Sequence, residues 1–262
     1  VEIAEAPGRP YTRFALEYPP LLFWVIELVA WAGVRQTALT VVGLSLLLDL
    51  GTAALLFKGW GRSAAAAYLV LGTPLLAFLY LGLDLVPVAV AVAGAYFLCR
   101  SRPIASGIVL SAAVFTKIWP IVLLPFVRLS HRRAFIAAVV TLALGTIAWI
   151  GWSGVQGLRQ VATQRDTPGW EVESTVGAVT WTVTAGPVEI VNDSPRVGTA
   201  PMWAKAALGL TALGWITAIW LRSRPVIWST GSTPARCAST AAASAHIWTL
   251  APVLSRMFTA SA

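Results

Sequence analysis

Charged residues are scarce in this chain of 262 residues: Asp, Glu, Lys and Arg make up 11% of it, against roughly 25% in an average soluble domain. Hydrophobic residues make up 57%. Even a soluble domain of about 300 residues leaves roughly a quarter of its chain surface in contact with water, so a soluble fold could not bury this much apolar surface. The composition therefore excludes an ordinary soluble enzyme, a disordered chain and a nucleic-acid-binding domain. It favours the lipid bilayer as solvent and an all-α, polytopic transmembrane bundle of about six to eight helices.

Cysteines and the signatures of soluble catalysis are also lacking. The two cysteines, Cys99 and Cys237, are too few for a disulfide framework and do not have the spacing of metal ligands. The sequence contains no Walker loop, no HExxH and no GxSxG. We therefore predict no cofactor and no metal ligands, although a divalent cation stays compatible with the sequence.

Acidic residues are missing from the basic clusters, and this pattern predicts the membrane topology. Short basic loops stay in the cytoplasm, so the net charge of +8 indicates cytoplasmic loops rather than contact with nucleic acid. We predict a multi-pass protein of the plasma membrane with these clusters inside. The clusters are Lys58 with Arg62, Arg100 with Arg102, Arg128 with Arg132 and Arg133, and Arg222 with Arg224.

Long apolar runs define one transmembrane domain over residues 1–225, followed by a tail, 226–262, without a clear span. The stretch 20–34 would reach only about 22 Å as a helix, so we predict a re-entrant or interfacial helix on the outer face. Residues 152–201 read as a long polar and aromatic loop. The other apolar runs cover 37–57, 64–83, 85–99, 104–127, 134–151 and 202–221.

The run 104–127 allows two topologies. A single span of 24 residues would put two of the basic clusters outside. A hairpin of two short helices, broken between Lys117 and Pro120, keeps all four clusters inside, and proline favours such a break. We therefore predict the hairpin, with extracytoplasmic segments 1–36, 84, 117–119 and 152–201.

Under this topology nine of the eleven acids lie outside, and they meet one cation near membrane depth. Lys117 is flanked by apolar residues and needs an anionic partner, for which a phosphate head group is suited. The alternatives are that Lys117 extends to the interface or pairs with Asp84, that Asp84 caps a helix, and that Glu17 and the loop acids are merely solvated. The two acids inside apolar runs, Glu27 and Asp49, are expected to pair or cap within the bundle.

Four motifs resemble glycosyltransferase family 87, whose members are polyprenyl-phosphate-sugar-dependent membrane enzymes of the GT-C class. The motifs are PYTRFALEYPPL at 10–21, LDLVP at 83–87, GIVLSAAVFTKIWPIVLLP at 107–125 and GWEVES at 169–174. The resemblance covers about residues 8–225. It implies a GT-C-like bundle that transfers a sugar, by expectation mannose, from a polyprenyl-phosphate donor to an envelope glycan or glycolipid on the extracytoplasmic face.

The resemblance also implies roles for individual residues. In the family a catalytic Asp lies in a first outer loop whose end resembles EYPPL, so the base is expected upstream of Val1 and this chain alone is expected to be an inactive fragment. The expected catalytic acids within this chain are Glu17 and Glu173, which orient the acceptor hydroxyl, and Asp84, which helps to shape the site. Donor phosphate binding is expected from Lys117 and Arg165. Substrate binding is expected from Tyr18, Trp119, Trp170 and Glu171.

Two other classes of protein remain open. A transporter or flippase of a lipid-linked glycan should bury charges near the bilayer midplane and show internal symmetry. The sequence shows no such repeat, and most acids lie outside the apolar runs. A structural membrane subunit would not need acids and Lys117 on one face.

Overall fold

The fold is predominantly helical, with a small sheet near residue 190. The computed structural model describes residues 10–11, 16, 18–31, 33–73, 80, 83–163, 170–171, 175–184, 186–191, 194–199 and 201–228. The α-helices are α1 (Pro20–Ala30), α2 (Val34–Trp60), α3 (Arg62–Gly72), α4 (Leu85–Cys99), α5 (Pro103–Thr116), α6 (Leu124–Ser130), α7 (Arg132–Thr163), α8 (Thr175–Thr184) and α9 (Met202–Trp228). A 3-10 helix, Trp119–Leu123, lies between α5 and α6.

Proline and glycine set several of these boundaries. Pro20 and Pro103 begin α1 and α5, where the missing amide hydrogen costs nothing because the first turn has no acceptor for it. Gly61 has a φ of 92° and separates α2 from α3, which would otherwise form one continuous helix. The expected run 64–83 is therefore helical from Arg62, and its helix α3 ends at Gly72.

The predicted break in 104–127 is confirmed. Helix α5 ends at Thr116, and Lys117 has an extended backbone with φ −150° and ψ 146°. Pro120 lies in the 3-10 helix that follows. The chain then folds back on itself. This is shown by a buried cluster in which Leu110 of α5 packs with Leu124 and Val127 of α6.

Helices α5 and α7 pack at very short range. A side chain on Gly107 would meet the Ala134 carbonyl oxygen at 2.2 Å, so only glycine allows this approach. One turn later, the Ser111 hydroxyl donates a hydrogen bond to the Ala138 carbonyl oxygen at 2.9 Å. Small residues spaced by four and hydroxyl contacts between helices are typical of packing inside a membrane.

Two helices of the described part are long and apolar enough to cross a membrane, Gln36–Trp60 and Arg132–Val161. Little of either is buried: 22% of the most apolar stretch of the first and 17% of the second. The core helix of a soluble protein would be mostly covered. The exposed apolar surface therefore favours membrane association, while the full bundle of six to eight spans stays a prediction.

The segment predicted as a long loop, 152–201, is structured over much of its length. Helix α7 continues through it to Thr163, with one non-helical residue at Gly154 (φ 69°, ψ 179°). One short strand before α8 and two after it pair antiparallel in the order β1-β3-β2, so the all-α prediction is wrong for this segment. The strands are β1 (Trp170–Glu171), β2 (Val188–Val191) and β3 (Ser194–Val197). Their extended pairing follows from Val and Ile in β2 and Val197 in β3, which are good strand formers.

Candidate functional site

The candidate site begins with the first described segment, which packs on the far half of α7. Tyr11 and Leu16 are buried in one cluster with Phe115, Trp149 and Val161. The Leu16 amide also donates to the Gln160 side-chain oxygen at 3.5 Å. The segment before α1, the end of α5 and the kinked end of α7 therefore meet, although they are distant in sequence.

Aromatic rings form most of this meeting point. The Tyr11 ring lies 5.7 Å from the ring of Trp149 and 6.0 Å from that of Trp152. Trp152 in turn stacks on Trp24 of α1, with ring centres 5.7 Å apart and an angle of 24° between their planes. Such a row of rings holds α1 against α7 and presents flat apolar surface at its exposed end.

Tyr11 has an unusual backbone that its surroundings hold in place. Its φ is +65°, a left-handed conformation that costs a non-glycine residue about 1 kcal/mol or more. Its hydroxyl donates to the Tyr18 carbonyl oxygen. Burial raises the pKa of the Tyr11 hydroxyl, so it stays a hydrogen-bond donor through the neutral range. The bond places Tyr18, a predicted substrate-binding residue, beside this cluster.

The predicted phosphate-binding cation, Lys117, lies two residues beyond Phe115. Its ammonium forms an ion pair and hydrogen bond with the carboxylate of Asp84, the residue before α4. The Lys117 side chain is 10% exposed and the Asp84 side chain 46%. The pairing is one of the alternatives that the sequence left open, and it brings two predicted site residues into direct contact. The cation is fixed in the protein, whereas its anionic partner faces solvent.

The next residues of the break fix the position of Lys117. Trp119 is buried and packs with Ala91 of α4 and Ala113 of α5. Pro120 is fully buried beside it. Trp119, predicted to bind substrate, therefore anchors the hairpin tip between α4, which Asp84 precedes, and α5, which Lys117 follows.

Several other predicted site residues fall at or beyond the limits of the described part. Glu17, Arg165 and Glu173 lie outside the described residues. Trp170 and Glu171 form β1, where they pair with Val197 and Arg196 of β3.

Arg196 was missed by the sequence reasoning. It is buried, and it lies opposite Glu171 on one neighbouring strand and Glu189 on the other. The sequence indicates strands in VEIV and SPRV, which are joined by Asn192-Asp193, although the composition of residues 152–201 as a whole predicts a loop.

Asp49 finds partners within the bundle, which is one of the two outcomes expected for it. Its two carboxylate oxygens accept hydrogen bonds from the hydroxyls of Tyr68 and Tyr80, at 2.7 and 2.9 Å.

No group of three or more His, Cys, Asp or Glu side chains that could hold a metal ion occurs among the described residues. No family model, curated protein or solved structure matches this chain. The functional argument therefore depends on the arrangement of the site itself.

Proposed function

We propose that this chain forms part of a membrane hexosyltransferase, which transfers a sugar from a polyprenyl-phosphate donor to an envelope glycan or glycolipid. Mannose is the proposed sugar. The proposed setting is the plasma membrane, with several spans and the site on the extracytoplasmic face.

One observation carries this proposal: a buried cation at a helix break, paired with a solvent-facing carboxylate. A buried ammonium without a partner would be an uncompensated charge, so Lys117 requires an anion at this position. Here the Lys117 ammonium is held inside while Asp84 lies near the surface. A phosphate could replace Asp84 as the partner of Lys117 without moving the lysine.

Such a cation matches the chemistry of the reaction. The bond between the sugar and the phosphate breaks, and negative charge develops on the phosphate oxygen as it leaves. A fixed ammonium in a partly dry site stabilises that charge more than it stabilises the ground state. The acceptor oxygen bonds to the anomeric carbon of the sugar as the phosphate leaves, and its proton passes to a carboxylate that acts as general base.

The aromatic row supports the proposal from the substrate side. A lipid-linked donor approaches from the bilayer, and α1 exposes Trp24 and Leu28 on one face, followed by the exposed Trp31 just after its end. Tryptophan and leucine on a short helix are typical of a helix lying at the membrane interface. The row continues from Trp24 through Trp152 to Tyr11, close to the Lys117 region.

The test is an assay with a polyprenyl-phosphate sugar, using this chain and the longest natural open reading frame that contains it. In whichever form is active, Lys117→Ala should lower turnover by about 10- to 1,000-fold, the range for loss of a charge-stabilising donor. Lys117→Arg should restore part of it, because the charge returns in a different shape. Full turnover of the Ala variant at normal protein level would reject the proposed role of Lys117.

Transport of a lipid-linked glycan is the second candidate function. Asp49, an acid in the interior of a candidate span, favours it, because buried ionisable groups are common along transport pathways. Vesicles containing the protein would separate the two functions. Movement of a labelled glycolipid across the vesicle membrane, with no sugar transfer, would favour transport.

A further inference from the structure

The interior of α2 contains a second polar site, separate from Lys117. Asp49 is about 20 Å along the helix from Gln36 and about 17 Å from Trp60, the ends of the candidate span. Only 8% of Asp49 is exposed. A carboxylate at this depth is costly unless its charge is compensated.

Oxygen atoms from three parts of the chain meet at Asp49. Tyr68 of α3 donates to Oδ1 and Tyr80 donates to Oδ2, so each carboxylate oxygen has one phenol and retains a free lone pair. Ser45 and Thr52 are buried on the same face of α2, one turn to either side. The Thr52 hydroxyl donates to the Leu48 carbonyl at 2.7 Å, and its oxygen also lies within hydrogen-bond range of the Tyr68 phenol.

The positive charge that would balance Asp49 is missing from the described part of the chain. No Lys, Arg or His whose side chain the structure describes forms an ion pair with Asp49. On α2 itself, Arg35 and Lys58 are about 21 and 14 Å along the helix from Asp49. A proton on one of the carboxylate oxygens would also neutralise Asp49, so the effect of pH has to be separated from that of a metal cation.

We propose that Asp49, Tyr68, Tyr80 and Thr52 bind one monovalent cation such as sodium. Carboxylate, phenol and hydroxyl oxygens are hard ligands, which hard cations prefer. A single carboxylate neutralises a single positive charge, whereas a divalent ion would leave a net charge in apolar surroundings. The bound ion connects α2 with α3 and with Tyr80, so the folded state should be more stable when it is present.

The test measures thermal unfolding of the purified chain in detergent at constant pH and ionic strength, with choline chloride replaced stepwise by sodium chloride. Lithium and potassium serve as probes of ion size. We expect a saturable rise in Tm of about 5 °C with the preferred ion. Asp49→Asn should abolish the rise. The matched control is Glu27→Gln, which neutralises another acid in an apolar helix and should keep it.

Two milder variants keep the carboxylate, in case Asp49→Asn does not fold. Tyr80→Phe and Thr52→Val each remove one oxygen and should raise the sodium concentration at half-effect about fivefold. The proposal is overturned if no alkali cation gives a saturable shift, or if the shift survives in Asp49→Asn. It is also overturned if Tm responds to pH alone, because a proton would then neutralise Asp49.

Discussion

The two partners of the Lys117–Asp84 pair differ in how firmly they are held. Lys117 follows a helix end, and Trp119 and Pro120 are packed immediately after it, so its ammonium has little freedom. Asp84 precedes α4, makes no capping hydrogen bond to that helix, and faces solvent. A partly exposed ion pair is worth about 0–1 kcal/mol, which an incoming phosphate can readily exceed.

Asp84→Asn should therefore strengthen binding of a polyprenyl phosphate rather than weaken it. The substitution removes the internal competitor for Lys117 and leaves the cation available, so affinity should rise about two- to fivefold. Quenching of tryptophan fluorescence by the lipid would measure it. The double variant Asp84→Asn, Lys117→Met should lose the gain. Unchanged affinity in Asp84→Asn would mean that the phosphate does not compete for Lys117.

Tyr11→Phe should lower stability, because it removes the donor to the Tyr18 carbonyl but keeps the ring. The expected loss is about 1 kcal/mol, or about 2–4 °C in Tm. Tyr96→Phe is the control, since the Tyr96 hydroxyl has no hydrogen bond within the described residues. An equal loss in both variants would show that the Tyr11 bond contributes nothing specific.

The same residue predicts a pH dependence. Burial raises the pKa of Tyr11 above its unfolded value of about 10, so the neutral form is favoured by folding. The contribution of the neutral Tyr11 hydroxyl to the free energy of unfolding is therefore present in full below pH 10, and it is lost as the pH rises above 10. The difference in Tm between wild type and Tyr11→Phe should therefore shrink between pH 9 and pH 11. A constant difference across that range would contradict the assignment.

At the scale of elements, the kink in α7 decides which residues reach the site. The part of α7 before Gly154 contains Trp149 and Trp152, and the part after it contains Gln160 and Val161. Both groups contact the segment around Tyr11 and Leu16. The Ser153 hydroxyl donates to the Trp149 carbonyl at 3.0 Å, which satisfies a backbone acceptor close to the kink.

Gly154→Ala should destabilise the protein by about 2 kcal/mol, because φ 69° with ψ 179° is a region that only glycine occupies easily. The matched control is Gly151→Ala. Gly151 is helical, and a side chain there would meet no other atom within 4 Å, so this change should be neutral or stabilise by up to about 1 kcal/mol. Opposite shifts in Tm for the two variants are expected. Equal shifts would mean that the kink is not needed.

Helix boundaries were largely predictable, because proline, glycine and polar residues act locally. The break at Lys117 and the helices within 37–57, 85–99 and 202–221 followed from local sequence alone. The continuation of α7 beyond residue 151 did not, because Trp-Ser-Gly resembles the end of an apolar run. The sheet was missed since each strand has only two to four residues, too few for an alternating pattern.

At the scale of the molecule, the distribution of charged residues predicts which distant segments lie on the same side of the membrane, but it does not predict which of them pack together. Acid-free basic clusters placed Tyr11, Asp84 and Lys117 on one side, and the structure brings Asp84 into contact with Lys117. The packing of Leu16 on Gln160 and Val161 could not be foreseen. These residues are about 144 positions apart, and the pairing depends on how the apolar faces fit together.

The membrane orientation gives the last prediction. Helix α2 has 27 residues and is about 40 Å long, enough to cross a hydrocarbon core of about 30 Å, so its two ends should lie on opposite sides. The end at Gly61 is followed by the basic residue Arg62 and should be cytoplasmic. Gln156 lies just past the α7 kink, on the half of that helix that contacts the Leu16 segment, and should be outside.

Single cysteines at Arg62 and Gln156, in a background with Cys99 and Cys237 replaced by alanine, test this orientation in whole cells. Both positions are exposed, so a reagent that cannot cross the membrane reaches each one if it is outside. We expect rapid labelling of Gln156→Cys, and labelling of Arg62→Cys only after the cells are permeabilised. The reverse pattern would put Lys117 and Asp84 on the cytoplasmic face, where sugar transfer to an external acceptor could not occur. Labelling of both before permeabilisation would mean that α2 does not cross the membrane.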